Sequence, residues 1–143
     1  MLFRSFQAYN LIPVLSAREN VEFVMQLQGV NAAERRTRAL DILQEVGLAG
    51  LEDRKPGELS GGQQQRVAVA RAIVSGPSLV LADEPTANLD SKTAENLMQM
   101  LVQMNAEHNV TFVFSTHDKL VMDFSRRLIQ LRDGRIVEDV RRG

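Results

Sequence analysis

The sequence has no cysteine, so it builds neither a disulfide framework nor a cysteine metal site. No apolar run approaches the roughly 20 residues that span a bilayer. Met1-Leu2-Phe3-Arg4-Ser5-Phe6 also lacks the long apolar core of a secretory leader. There is no basic excess: 17 lysines and arginines face 18 carboxylates, for a formal charge of −1, so the domain as a whole is not expected to bind nucleic acid. There is no G-x-x-x-x-G-K-[ST] phosphate loop either. The lysines are Lys55, Lys92 and Lys119, and none follows a glycine. Together these absences lead us to expect a soluble, cytoplasmic protein whose membrane role, if any, comes through a partner.

What is present suffices for one ordinary domain. The 143 residues are 44% hydrophobic and 24% charged, a globular balance with enough length for a core. Residues 1–7 read as the tail of a strand running into a polar turn. After Pro13, Ser16 and Glu19 form a capping box that opens a helix, with Ala17, Val21, Val24 and Met25 at helical spacing and Gly29 as its stop. Asn31 and Glu34 open a second helix, which Gly47 ends. Residues 48–58 read as a loop. Ser60 and Gln63 form another capping box, and that helix runs to about Val74 before Gly76-Pro77 breaks it.

From there the period changes. Leu79 to Ala82 and Val110 to Ser115 read as buried strands, with a helix over 92–107 between them. Met98, Met100 and Met104 read as packing residues of that helix. Leu128–Leu131 and Ile136-Val137 flank Arg132-Asp133-Gly134-Arg135, a hairpin signal. The first half is therefore mostly helical and the second alternates strand and helix, so the fold class is α/β: a helical insert followed by part of an α/β sheet.

Three places carry chemistry. Asp83 and Glu84 end an apolar strand, at the edge where α/β proteins place ligands. Asp83 is placed to hold Mg²⁺ through water and Glu84 to polarise an attacking water. An isolated Asp-Glu-Pro is equally a plain strand-ending turn. Ser60 caps a helix whose first positions are Gly61 and Gly62. Glycine there costs up to about 1 kcal/mol each but lets backbone N–H groups approach an anion. The plainer reading is a capped helix with a flexible start. His117, just past a strand end, can donate to a phosphoryl oxygen, although a lone histidine is more often structural. Asp90, in Asn88-Leu89-Asp90, reads as a helix cap and, functionally, as part of a turn that touches a neighbouring subunit. Gln7 has no distinguishing signal of its own.

The order and spacing are more specific than any single piece. Phe6-Gln7, a helical segment, Leu59-Ser60-Gly61-Gly62-Gln63, Leu79-Val80-Leu81-Ala82-Asp83-Glu84-Pro85, Asn88-Leu89-Asp90 and Ser115-Thr116-His117 resemble the ATP-binding cassette ATPases, the motor subunits of ABC transporters. The resemblance covers essentially the whole chain and looks most like the lipoprotein-releasing and macrolide-export branch. It implies a partial P-loop NTPase fold: a helical subdomain at about 12–58, then the signature helix and the C-terminal part of a RecA-like sheet. It implies ATP and Mg²⁺ as ligands, a membrane permease as partner, and a second ATPase subunit packed head to tail. Gln7 would touch Mg²⁺ and couple to the permease. Ser60, Gly61, Gly62 and Gln63 would be the signature, Asp83 the Walker B carboxylate, Glu84 the catalytic base, Asp90 the D-loop aspartate and His117 the switch histidine.

One departure matters. The glycine-rich loop that grips the nucleotide in this family is missing, so the chain is expected to be a truncated or split member, inactive alone. The alternative is a degenerate subunit that only supplies its signature to another subunit's site. Retention of Glu84 and His117 argues against that. The strand ending at Asp83 is expected to have lost its neighbour, leaving an apolar edge and a poorly soluble chain.

Overall fold

Three short parallel strands fix the direction of the molecule. The computed structural model describes the backbone of residues 3–6 and all of residues 10–143; Gln7 lies outside the described residues. Strand β1 (Phe3–Phe6) pairs with β2 (Leu79–Asp83) in the register Phe3 with Leu79 through Phe6 with Ala82. On its other side β2 pairs with β3 (Thr111–Ser115), Leu79 with Thr111 through Asp83 with Ser115. The order is β1-β2-β3.

That order corrects two expectations. The strand ending at Asp83 is not an edge, since it is hydrogen-bonded on both sides, and its Val80 and Ala82 are buried. Among the described residues the edge strands are β1 and β3, and β3 was expected to be buried. Among the described residues no strand lies beyond it, Val113 is 48% exposed, and Phe112 and Phe114 are only partly covered. Apolar composition alone does not distinguish a central from an edge strand, because the crossover sets the order.

The helices begin where local capping chemistry dictates. Helix α1 (Ala17–Leu27) is opened by Ser16, whose Oγ accepts from the Glu19 amide while the Glu19 carboxylate accepts from the Ser16 amide, each at 3.1 Å. Helix α2 (Ala32–Glu45) is capped by Asn31, which accepts from the Glu34 amide. The stretch expected as a loop contains one 3₁₀ turn, Pro56–Glu58. Helix α3 (Gly61–Ile73) follows, then β2, α4 (Ser91–His108) and β3. Helix α5 (Lys119–Phe124) was not anticipated, because six residues are too few to show a period. Strands β4 (Arg127–Arg132) and β5 (Arg135–Arg141) form the expected hairpin. Asp133 and Gly134 both adopt positive φ at its turn, as a two-residue type I′ connection needs.

Helix α3 is the shared wall of the core. Its Val67, Ala68, Val69, Ala70 and Ile73 belong to the same buried cluster as Met25 and Leu43 of α1 and α2 and Leu97 and Leu101 of α4. Met98, Met100 and Met104 are buried there too, as expected of packing residues. Two arginines close the ends of each other's helices. Arg66 of α3 donates to the Val46 carbonyl at the end of α2 (2.8 Å), and Arg38 of α2 donates to the Val74 carbonyl at the end of α3 (2.7 Å). A cation there satisfies carbonyls that the helix leaves unpaired and complements the helix dipole. Ahead of α1, buried Asn20 accepts from the Ile12 amide and donates to the Ile12, Leu15 and Ser16 carbonyls, fixing the approach to the helix.

Candidate active site

Because the strands are parallel, β2 and β3 release their chains at the same rim, and two of the sequence-identified residues meet there. Asp83 ends β2 opposite Ser115 of β3. The Glu84 amide donates to the Ser115 carbonyl at 2.8 Å, carrying the pairing one residue further. Glu84 then turns out of the strand with φ 47, a left-handed conformation that costs a non-glycine residue about 1–3 kcal/mol. Its carboxylate is held on both oxygens. Thr116 Oγ donates to Oε2 (3.1 Å), while the His117 amide (3.3 Å) and ring Nδ1 (2.8 Å) reach Oε1. An ionised carboxylate only accepts, so a neutral His117 paired with it carries its hydrogen on Nδ1 and keeps the lone pair on Nε2. The ring is 92% exposed, so Nε2 is open to whatever enters.

A second set of contacts steadies the first. Thr116 Oγ accepts from the Asp118 amide at 3.0 Å, and the Asp118 carboxylate accepts from the Thr86 hydroxyl (2.7 Å) and the Leu120 amide (2.9 Å). The Thr86 hydroxyl, followed by the Leu120 amide, holds the Asp118 carboxyl below the usual aspartate range. Asp118 is also the N-cap of α5. Glu84, Thr86, His117, Asp118 and Lys119 line an open cleft of about 420 Å³. The sequence reading assigned no role to Thr86, Thr116 or Asp118. A hydroxyl two residues ahead of an N-cap aspartate is the local signal that was available.

Ser60 to Gln63 are not brought into that cleft. They form the start of α3, where Ser60 Oγ accepts from the Gln63 amide (3.2 Å) and Gln63 Oε1 accepts from the Ser60 amide (2.9 Å). Gly62 has a steric reason that the sequence did not reveal. A Cβ on it would stand 2.5 Å from Thr93 Cγ2, in the first turn of α4. Thr93 is in turn fixed by Asp90, which accepts from both its amide (3.1 Å) and its hydroxyl (2.5 Å). Those two bonds, the hydroxyl's foremost, hold the Asp90 carboxyl below its ordinary value. Asp90 is thus the helix cap that the sequence suggested, and it stands one contact away from Gly62.

These residues do not fit a triphosphate by themselves. The cleft sets two carboxylates, Glu84 and Asp118, against Lys119, whose ammonium is already paired with Asp123 at 2.6 Å. Asp83 offers a carboxylate at a strand end, a donor suited to Mg²⁺. Among the described residues, the cluster of three potential metal ligands is Glu45, Glu107 and His108, exposed at the ends of α2 and α4 and separate from this rim.

The comparisons agree with this architecture. The sequence matches the ABC transporter family over residues 3–87. It is 46% identical to the ABC transporter ATP-binding protein YtrE of Bacillus subtilis, over 90% of this chain and 56% of that protein. It is 44% identical to the macrolide export ATP-binding/permease protein MacB of Mannheimia succiniciproducens, over 96% of this chain and 21% of that protein. The structure superposes on the ATP-binding cassette MJ0796 of Methanocaldococcus jannaschii, solved as a dimer in a post-hydrolysis state bound to ADP and Pi. The TM-score is 0.83 and the identity 45%, over 99% of this chain and 63% of that one. The chain spans little more than half the length of YtrE and MJ0796. A family match across more than half the residues, together with the same cassette fold, makes this chain a member of the ABC transporter ATPase family.

Proposed function

We propose that this chain is the part of an ABC transporter ATPase that prepares water for attack and reaches across to a second subunit, on the cytoplasmic side of a membrane permease. The observation that supports it best is the presentation of Glu84 at the end of β2, its carboxylate oxygens taken up by Thr116 and His117. In this reading Glu84 accepts the proton of a water, and His117 orients Glu84 while turning its second ring nitrogen outward. Asp83 faces Mg²⁺, and Gln7 serves the same ion and the permease. Ser60, Gly61, Gly62, Gln63 and Asp90 meet a nucleotide gripped by the second, head-to-tail subunit. Residues 12–58 form the helical subdomain and 59–143 the remainder of the cassette. ATP supplies the phosphoryl group, and the loop that would grip it is not among these residues.

The test is to measure ATP hydrolysis by this chain alone and by this chain joined to the segment of an intact relative that carries its G-x-x-x-x-G-K-[ST] loop. The chain alone is expected to show no turnover. The joined protein should hydrolyse ATP, and Glu84→Gln should slow it by about 10²- to 10⁴-fold, the usual contribution of a positioned base. Turnover at ordinary enzyme rates by the chain alone, or full activity with Glu84→Gln, would sink the reading.

A further inference from the structure

Gln65 is the polar side chain of α3 that the proposed chemistry leaves unexplained. It is 1% exposed, deep in an otherwise apolar helix face. Its Nε2 donates to the Pro85 carbonyl at 2.8 Å, in the residue directly after Glu84. Its Oε1 is buried and has no hydrogen-bond partner. A leucine or methionine would fill the same space and spare the stranded Oε1, but would leave the Pro85 carbonyl without its donor, so the bond to Pro85 rather than packing accounts for glutamine here.

The same helix has a second seam to the same segment. Gly62, one turn ahead of Gln65, lies against Thr93, and Thr93 is bound to Asp90. The start of α3 is therefore fastened to residues 85–93 at two points, one polar and one steric. On the β3 side, the turn that carries Glu84 is tied by the Glu84 amide to Ser115 and by its carboxylate to Thr116 and His117, and it has a few ties of its own. The Ala87 amide donates to the Glu84 carbonyl (3.1 Å), the Leu89 amide to the Thr86 carbonyl (3.2 Å), and Thr86 bonds Asp118.

We propose that Gln65 is a positioning residue: its amide, held under the Pro85 carbonyl, makes the Ser60–Gly62 start of α3 and the Glu84 turn move as one piece. The left-handed backbone of Glu84 is costly, and a turn that stores strain needs an external hold to keep it. Ser115, Thr116 and His117 hold the turn from β3, and Gln65 supplies the side-chain hold on it from α3. A displacement at Ser60 then reaches the water-activating carboxylate within a single chain. This assignment rests on the role proposed for Glu84.

The test is amide hydrogen exchange on the 143-residue chain, native and with Gln65→Met or Gln65→Leu, which keep the volume and remove the donor. The Ala87 and Leu89 amides are expected to exchange about five- to tenfold faster, the factor that one net hydrogen bond commands. The Val74 and Leu48 amides, in the α3 terminus and the helical layer, are expected to keep their native rates. Unchanged exchange at Ala87 and Leu89 would overturn the proposal, as would a rise everywhere alike or the unfolding of both variants, because each assigns Gln65 to packing. In the joined ATPase, Gln65→Met is expected to lower kcat and leave KM for ATP alone, and an effect on KM only would overturn it. If the joined native protein hydrolyses nothing, the role of Glu84 fails, while the exchange result still decides whether Gln65 holds the turn.

Discussion

Gly62 and Thr93 meet so closely that a single added methyl on the glycine would overlap the threonine's Cγ2, at 2.5 Å. Gly62→Ala should therefore destabilise the chain by about 1–3 kcal/mol, the usual cost of overpacking. This is expected even though alanine is the better helix former by about 1 kcal/mol. Thr93→Ser removes Cγ2, keeps the hydroxyl that Asp90 accepts, and should restore most of the loss in the double variant. Urea unfolding of the four proteins checks this. A neutral Gly62→Ala would mean the glycine serves only access to its backbone.

Asn20 gathers four hydrogen bonds from residues 12–16 within a buried site. Asn20→Ala should cost about 1–3 kcal/mol, because it strands the Ile12 amide and the Leu15 carbonyl, while the Ile12 and Ser16 carbonyls keep the Leu15 and Asn20 amides. Asn20→Asp should do no better, since an ionised carboxylate would face those same carbonyls. Denaturant midpoints of both variants are the measurement, and tolerance of aspartate would contradict the donor assignment.

Acid should loosen the site through Asp118 and Asp90. Both carboxyls are held below their ordinary value in the folded chain, Asp118 by the Thr86 hydroxyl first and Asp90 by the Thr93 hydroxyl first. A depressed folded-state value stabilises the fold above the unfolded aspartate value of about 3.9, and that contribution is lost as the pH falls below it. Thermal midpoints should thus decline below about pH 4 and be flat in these groups from there to neutrality. Thr86→Val should return Asp118 toward its ordinary value and make the acid decline shallower. An unchanged slope would remove Thr86 from the account.

Edge strand β3 carries Val113 half exposed, with no charge from Thr111 to Ser115. Such an edge is a template for pairing between chains. Val113→Lys should reduce light scattering at high protein concentration while changing stability by no more than about 0.5 kcal/mol. Equal aggregation of both proteins would place the sticky surface elsewhere, with the exposed hairpin residues Leu131 and Ile136 next in line.

What the sequence disclosed was mostly local. The starts of α1 and α3 were legible because Ser16 with Glu19, and Ser60 with Gln63, complete their chemistry within one turn. The Asp133-Gly134 turn was legible for the same reason. Glu84 and His117 were each visible as residues at strand ends, but their 2.8 Å contact depends on β2 and β3 being neighbours in register. The edge was misplaced because the missing phosphate-loop strand was expected to leave β2 unpaired on one side, whereas β1 and β3 pair with it on both and Val113 of β3 is left half exposed. Gly62 was read as an opening for an anion because Thr93 is distant in the sequence. Gln65 drew no notice, since its isolation among apolar neighbours exists only once α3 lies against Pro85.

The parallel sheet has a consequence for how this chain tolerates change. Its reacting groups sit where β2 and β3 finish, whereas the connections through Gly76–Ser78 and Asn109–Val110 lie where those strands begin. Insertions at Gly76, away from buried Val110 and from the Ser78 carbonyl that accepts from the Thr111 amide, are expected to leave the spacing of Glu84 and His117 unchanged. The chemistry is thus gathered at one margin of the sheet, and the room for insertion lies at the other.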